Sequence, residues 1–338
     1  MTSLFRIRSK PGRGHKGKTA LLFLGIFILV AAFGIALSRA SQSDNHRDSY
    51  SIKVVAREVV LHATVTDHRG NFVFGLAPDN FRVYEDGVIQ TIMYFTHEDI
   101  PVTVGLVVDN SGSMQTKRNE VTAGAEALVR SSNPHDEMFV VNFNENVSFG
   151  LPANLPFTDN IDQLQAALSR GVPSGETALN DAIAAALAHL KGGSRDKKVL
   201  IVISDGGDNA SKNTDAAVRA AAAHADVVIY AIGIFDEQDG DQNPRALKQL
   251  AKGSGGEAFF PKQVKEVLPI CEQIAREIRS QYTIAYVPAD DALNGTYRTV
   301  AVKASAKGHG RLSVRTRAGY FAQFSEATSP KAAPGASQ

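Results

Sequence analysis

The chain of 338 residues is 43% hydrophobic and 21% charged, enough apolar content to bury one large core or two modest ones, which excludes a disordered polymer. Its 36 basic and 35 acidic side chains nearly cancel, so no overall field draws it toward nucleic acid or acidic lipid. A single cysteine, Cys271, excludes an intramolecular disulfide framework.

The basic excess is local. Arg6, Arg8, Lys10, Arg13, Lys16 and Lys18 crowd residues 1–18, and charge then vanishes from Thr19 to Ser38. The stretch TALLFLGIFILVAAFGIALS is about 20 residues, which at about 1.5 Å per residue crosses a hydrocarbon core of about 30 Å. With its basic flank inside, this predicts an N-terminal transmembrane helix over residues 19–38 and a basic cytoplasmic tail. The bulk of the chain is then periplasmic or extracellular. Ser38-Arg39-Ala40 also fits a leader cleavage site, which would make the protein secreted; the apolar run exceeds the usual leader core of about 7–15 residues, which favours an uncleaved anchor. The same flank holds GRGHKGKT, Gly12 to Thr19, a literal match to a phosphate-binding loop. That loop needs a buried strand before it and a soluble helix after it. A basic tail and a membrane span stand there instead, so no nucleotide is expected.

Residues 39–50 read as a polar linker. From 51 to 98 the pattern is β: Val59, Leu61, Ala63 and Val65 alternate, DHRGN turns the chain, and NFRVYEDG places Phe81 and Val83 inward before Gly87 closes a hairpin and VIQTIMYF returns. The far end is similar, with QYTIAYVP, GTYRTVAVKASA and RLSVRTRAGYF as three strands over residues 282–322, and residues 323–338 as a disordered tail. Either β piece alone leaves open edges and an unburied face, so the two are expected to pair into one small β-sandwich.

Residues 101–281 alternate. VTVGLVVD, EMFVVNFN, KKVLIVISD, ADVVIYAIGIF and GEAFF read as strands; KRNEVTAGAEALVR, NIDQLQAALSR, ALNDAIAAALAHL, TDAAVRAAAAHA, PRALKQLAKG and VKEVLPICEQIAREIR read as helices. Near-continuous Val and Ile runs mark strands covered on both faces. The fold class is therefore α/β, an open doubly wound, mostly parallel sheet, whose ligands bind beyond the carboxyl ends of the strands near the switch point.

Three pieces fall at that edge. GLVVDNSGSM ends a buried strand in Asp109, Ser111 and Ser113; VPSGETALNDA puts Thr177 just before a helix; VLIVISDGGDN puts Asp205 after another strand. Turn chemistry explains their composition but not their alternate spacing. The set offers two carboxylates and three hydroxyls, with no His or Cys nearby in sequence. Such hard oxygen donors suit Mg²⁺, with Mn²⁺ or Ca²⁺ as alternatives, and not Zn²⁺.

DNSGS, the Thr of GETAL and the Asp of ISDGGDN resemble the metal-ion-dependent adhesion site of the von Willebrand factor type A domain, also known as the integrin I domain. The similarity in element order covers residues 101–281, and VTDHRGNFVFGL, FRVYEDG and RAGYF resemble a bacterial group of related secreted or anchored proteins. The resemblance implies a divalent ion held by Asp109, Ser111, Ser113, Thr177 and Asp205. It further implies a protein partner whose Asp or Glu completes the ion's shell, with an accompanying shift of the C-terminal helix VLPICEQIAREI.

Rival chemistries lack their residues. A haloacid dehalogenase-type phosphohydrolase needs Asp-x-Asp where Ser111 stands, and a serine hydrolase needs Gly-x-Ser-x-Gly, which neither Ser111 nor Ser113 provides, so no enzyme is expected. DGDQNPRALKQL resembles a calcium loop but has Pro244 at the sharp-turn glycine and Leu250 in place of the closing Glu. His62, His135, His189, His224 and His309 show no metal-ligand spacing. Cys271 falls on the apolar side of a helix and packs a core. A non-enzymatic alternative remains: an envelope scaffold whose metal site is mainly structural.

Overall fold

The computed structural model describes residues 58–205, 207–235 and 243–322. The expected membrane span, the basic tail with its Gly12–Thr19 pattern, the linker, residues 239–242 of the calcium-like loop and the C-terminal tail lie outside the described residues. Among those described, no helix is long and apolar enough to cross a membrane.

Four strands come first: β1 (Val59–Thr66), β2 (Phe81–Glu85), β3 (Val88–Gln90) and β4 (Ile92–Thr96). The turn between β2 and β3 is Asp86-Gly87, both at positive φ (47° and 82°), the conformation that matches the twist of a tight hairpin. In DHRGN, Asp67 Oδ1 accepts the backbone N–H groups of Arg69 (2.8 Å) and Asn71 (2.9 Å), and Gly70 takes the left-handed position.

The middle supplies β5 (Thr103–Asp109), α1 (Arg118–Ser131), β6 (Glu137–Phe143), β7 (Val147–Phe149), α2 (Ile161–Ser169), α3 (Leu179–Leu190), β8 (Lys198–Ser204), α4 (Asp215–His224), β9 (Val227–Gly233), α5 (Pro244–Ser254), β10 (Ala258–Phe259) and α6 (Val267–Arg279). The sheet runs β10-β9-β8-β5-β6-β7. All its pairings are parallel except β6 with β7. From β5 the chain first crosses to β6 on one side and later to β8 on the other. The carboxyl end of β5 is thus the switch point.

Every residue of β5 and β9 is buried, as continuous β-branched runs require when helices cover both faces. The helices present complementary stripes. In α1, Val121, Gly124, Ala125, Leu128 and Val129 are buried at helical spacing. A Cβ at Gly124 would stand 2.9 Å from Val267 Cγ1 and 3.2 Å from Cys271 Sγ, so the missing side chain lets α1 and α6 pack closely. Cys271 is fully buried there, and burial pushes its thiol up to about 12, which keeps it inert.

The last strands are β11 (Tyr282–Tyr286), β12 (Tyr297–Ala304), β13 (Ser313–Arg315) and β14 (Gly319–Phe321). They interleave with the first four in two four-stranded sheets, β13-β1-β11-β4 and β14-β12-β2-β3. A second core lies between these sheets, with Val59, Leu61, Phe81, Val83, Tyr282, Ile284 and Tyr286 buried in it. The Phe81 ring centroid stands 5.3 Å from that of Phe95 and 5.1 Å from that of Tyr282. The run RLSVRTRAGYF is two strands and not one. After β13 the chain leaves its sheet, Ala318 N donates to Gly253 O (3.2 Å) at the end of α5, and β14 joins the other sheet.

Beneath the central sheet, Lys197 is buried and its Nζ donates to Ile278 O at 2.5 Å. Burial pushes its pKa down to about 8, with the charges of Asp136 and Glu277 opposing. An amine whose folded pKa lies below its unfolded value binds fewer protons folded than unfolded between the two, so its contribution to stability rises with pH there. Lys197→Met is expected to gain about 1–2 kcal/mol over the parent below about pH 8, after the lost hydrogen bond is subtracted. The gain should shrink between about pH 8 and the unfolded value of about 10.4. Calorimetric unfolding across that range checks it.

Candidate metal centre

Asp109 is the last residue of β5 and is 3% exposed. Its Oδ1 accepts the Ser111 N–H at 2.8 Å and its Oδ2 accepts the Ser204 hydroxyl at 2.6 Å. The first bond folds the loop back over the strand end; the second ties β5 to β8. Ser111 precedes a single turn of 3₁₀ helix, Gly112–Met114, which brings the Ser111 and Ser113 hydroxyl oxygens to 3.1 Å of each other on one side of the turn. Alternate spacing in sequence thus becomes adjacency in space.

The Thr177 loop is fastened to this turn by its backbone. Gly112 N donates to Gly175 O (3.1 Å), and Ser174 N donates to Asn110 O (2.9 Å). Gly175 is at φ 74°, the left-handed region that strains any residue with a Cβ, and the Glu145 carboxylate packs into the space its missing side chain leaves. Thr177 is buried; its N–H donates to Asn209 Oδ1 (2.9 Å), and its carbonyl accepts the N–H groups of Asn209 (3.0 Å) and Ala210 (3.1 Å). These bonds hold the Thr177 loop against the segment that follows β8.

Asp205 follows β8 directly and is 2% exposed. Its Oδ2 accepts no hydrogen bond among the described residues, and the Lys117 ammonium stands 3.8 Å away. A buried carboxylate oxygen without a donor is costly unless a positive charge answers it. Asp109 registers the same crowding. Burial first, and the neighbouring charge of Asp205 second, push its carboxyl up to about 6, while the hydrogen bonds from Ser204 and Ser111 pull the other way.

The structure therefore brings Asp109, Ser111, Ser113, Thr177 and Asp205 to one edge of the sheet, at the ends of β5 and β8 and the loop between α2 and α3. The donor set is all oxygen. Among the described residues no three His, Cys, Asp or Glu side chains cluster as a metal site, in keeping with a set that pairs only two carboxylates with hydroxyls. Hard divalent cations favour such donors, and a cation between Asp109 and Asp205 would relieve both the orphaned oxygen and the repulsion. No histidine lies in the set: His189 packs among Phe139, Phe149 and Phe157, and His224 stacks on Phe321.

Sequence reasoning missed three neighbours. Ser204 is visible only as the residue before Asp205. Asn209 holds Thr177 through its side chain. Lys117, 3% exposed, sits eight residues beyond Asp109 with no motif to mark it, and the turn of 3₁₀ helix carries it back to Asp205.

The model of the von Willebrand factor type A domain matches residues 103–273, half of the chain. The chain belongs to the von Willebrand factor type A family. Among solved structures it is similar to a von Willebrand factor type A protein from Catenulispora acidiphila, at 14% identity over 74% of each chain with a TM-score of 0.49. It is also similar to proximal thread matrix protein 1 from the mussel byssus, described with a zinc occupied MIDAS motif, at 18% identity over 53% of this chain and 48% of that one, TM-score 0.44. A third is the von Willebrand domain of the type V pili tip protein Mfa5 from Porphyromonas gingivalis, at 14% identity over 53% of this chain and 97% of that one, TM-score 0.43. No curated protein matches the chain. The von Willebrand match spans β5 through most of α6 and leaves the two β flanks outside it.

Proposed function

We propose that this von Willebrand protein is a metal-dependent protein-binding module, held on the outer side of a membrane by residues 19–38, and not an enzyme. Asp109, Ser111, Ser113, Thr177 and Asp205 would hold a divalent ion, Mg²⁺ by preference for oxygen donors, and the ion would accept a carboxylate from a partner's Asp or Glu. The observation that carries this reading is Asp205 Oδ2, buried and without a hydrogen-bond donor among the described residues, beside an equally buried Asp109. Family membership supports it, as does the position of the cluster at the switch point of the sheet. Ser111, Ser113 and Thr177 are neutral donors, and where one or both carboxylates act through water the divalent ion keeps part of its charge and an exchangeable position, which an anionic ligand from outside completes. The basic flank and apolar run of the N-terminus support the membrane display.

Capture from envelope extract with Mg²⁺ and with EDTA tests the reading. A partner retained with Mg²⁺ and released by EDTA is expected. A partner held equally well under chelation would overturn the role of the metal, and chelation that lowers only the melting temperature would favour a structural site.

A further inference from the structure

Lys117 lies at the start of α1 with its ammonium 3.8 Å from Asp205 Oδ2, and the same ammonium donates to Ile234 O at 3.0 Å, just past β9. Both side chains are almost fully buried, at 4% and 2% exposure. The contact is therefore shielded from solvent, where a unit charge acts at several times its strength in water. Ile234 N in turn donates to Ser204 O (2.9 Å), so the carbonyl that holds the ammonium is itself fixed to the end of β8. The position of the ammonium is built, and it faces one of the two carboxylates of the candidate centre.

We infer that Lys117 is a resident positive charge that tunes this centre in two opposite directions: it weakens retention of the divalent ion and strengthens capture of an anionic ligand by the loaded ion. The inference rests on the metal-binding reading above. Without the ion, Lys117 answers part of the charge of Asp205, so an entering cation gains less than it would from an unpaired carboxylate. With the ion in place, two carboxylates offset a divalent charge, and the nearby buried ammonium adds positive potential to the centre that a carboxylate ligand enters. Whatever else the ammonium touches, replacing it by a neutral group lowers the local charge by one unit in both states. The opposite signs follow from that single change.

Lys117→Gln keeps an N–H donor for the Ile234 carbonyl while removing the charge; Lys117→Met removes both. Mn²⁺ binding is read by electron paramagnetic resonance, and acetate is then titrated into the Mn²⁺-loaded protein and followed by water-proton relaxation. Thermal unfolding is recorded with and without Mn²⁺. For both variants Mn²⁺ affinity is expected to rise about 10-fold and acetate affinity of the loaded protein to fall about 3-fold or more, the scale of one nearby unit charge in a partly shielded site. The melting temperature of the metal-free form should fall, and the rise on adding Mn²⁺ should exceed that of the parent. Unchanged or weakened Mn²⁺ binding in a folded variant, or unchanged acetate binding, overturns the inference while leaving the metal site standing. Failure of both variants to fold even with Mn²⁺ would make Lys117 purely structural and overturn it too. A parent that binds no Mn²⁺ would bring down the metal reading and this inference together.

Discussion

Asp109→Asn is expected to remove the response to divalent ions while making the metal-free protein more stable. The carboxamide keeps an oxygen for the Ser111 N–H and can pair through its amino group with the Ser204 hydroxyl, so both tethers of the parent persist. What disappears is a buried charge whose burial first, and whose crowding by Asp205 second, push the Asp109 carboxyl up to about 6. Relief of that burial and crowding should stabilise the metal-free fold by about 1–3 kcal/mol near neutral pH. Loss of a carboxylate that orders the ion should lower Mg²⁺ affinity at least about 10-fold, the scale of a lost supporting group. The fold itself does not depend on the ion, because β5, β8 and β9 bury their apolar side chains between helices. Calorimetric titration with Mg²⁺ and thermal unfolding in its presence and absence provide the check. If Asp109→Asn binds Mg²⁺ as the parent does and shows the same Mg²⁺-dependent rise in melting temperature, DNSGS is only a turn.

The legible part of this protein is the part in which side-chain chemistry and element type coincide. Runs such as VLIVIS can only be strands covered on both faces, and stripes such as Val121, Gly124, Ala125, Leu128 and Val129 can only be one face of a helix, so the α/β order is readable before any coordinates. The convergence of Asp109, Thr177 and Asp205 is readable too, because parallel strands all end at the same edge. Pairing choices are harder to see. β7 is three residues long and joins the sheet antiparallel through its backbone, which leaves almost no side-chain pattern. The break between β13 and β14 is set by a backbone bond from Ala318 to the end of α5, a partner distant in sequence. Lys117 is hidden for a related reason: a lysine before a helix looks solvated until the tertiary structure closes over it.

Glu277 is the least legible residue of all, and its replacement should carry the largest cost. In sequence it reads as one more charge in CEQIAREI. In the structure it is fully buried on α6, where Oε1 accepts the Thr64 hydroxyl of β1 (2.8 Å), the Tyr230 hydroxyl of β9 (2.8 Å) and the Arg315 guanidinium of β13. Gln281 Nε2 reaches the same Thr64 hydroxyl at 3.1 Å. One carboxylate therefore joins the central sheet, its last helix and the β-sandwich, and its buried charge raises the pKa of both Tyr230 and Arg315, after burial has raised the first and opposed the second. Glu277→Ala leaves two hydroxyls without this acceptor, and leaves Arg315 with the half-exposed Glu257 as its one carboxylate partner among the described residues, beside the Gly255 carbonyl at 3.3 Å. Breaking such a buried pair costs about 3–5 kcal/mol. For a folded unit of this size that is a fall in melting temperature on the order of 6–15 °C. Glu277→Gln retains an acceptor for the hydroxyls and should lose less than half as much. Because the network is the polar seam between two separate apolar cores, Glu277→Ala should also split unfolding into two calorimetric transitions where the parent shows one. The sandwich should melt first, since its core is the smaller. A single transition shifted by less than about 1 kcal/mol, the value of an ordinary hydrogen bond, would show that the seam is not what couples the two cores.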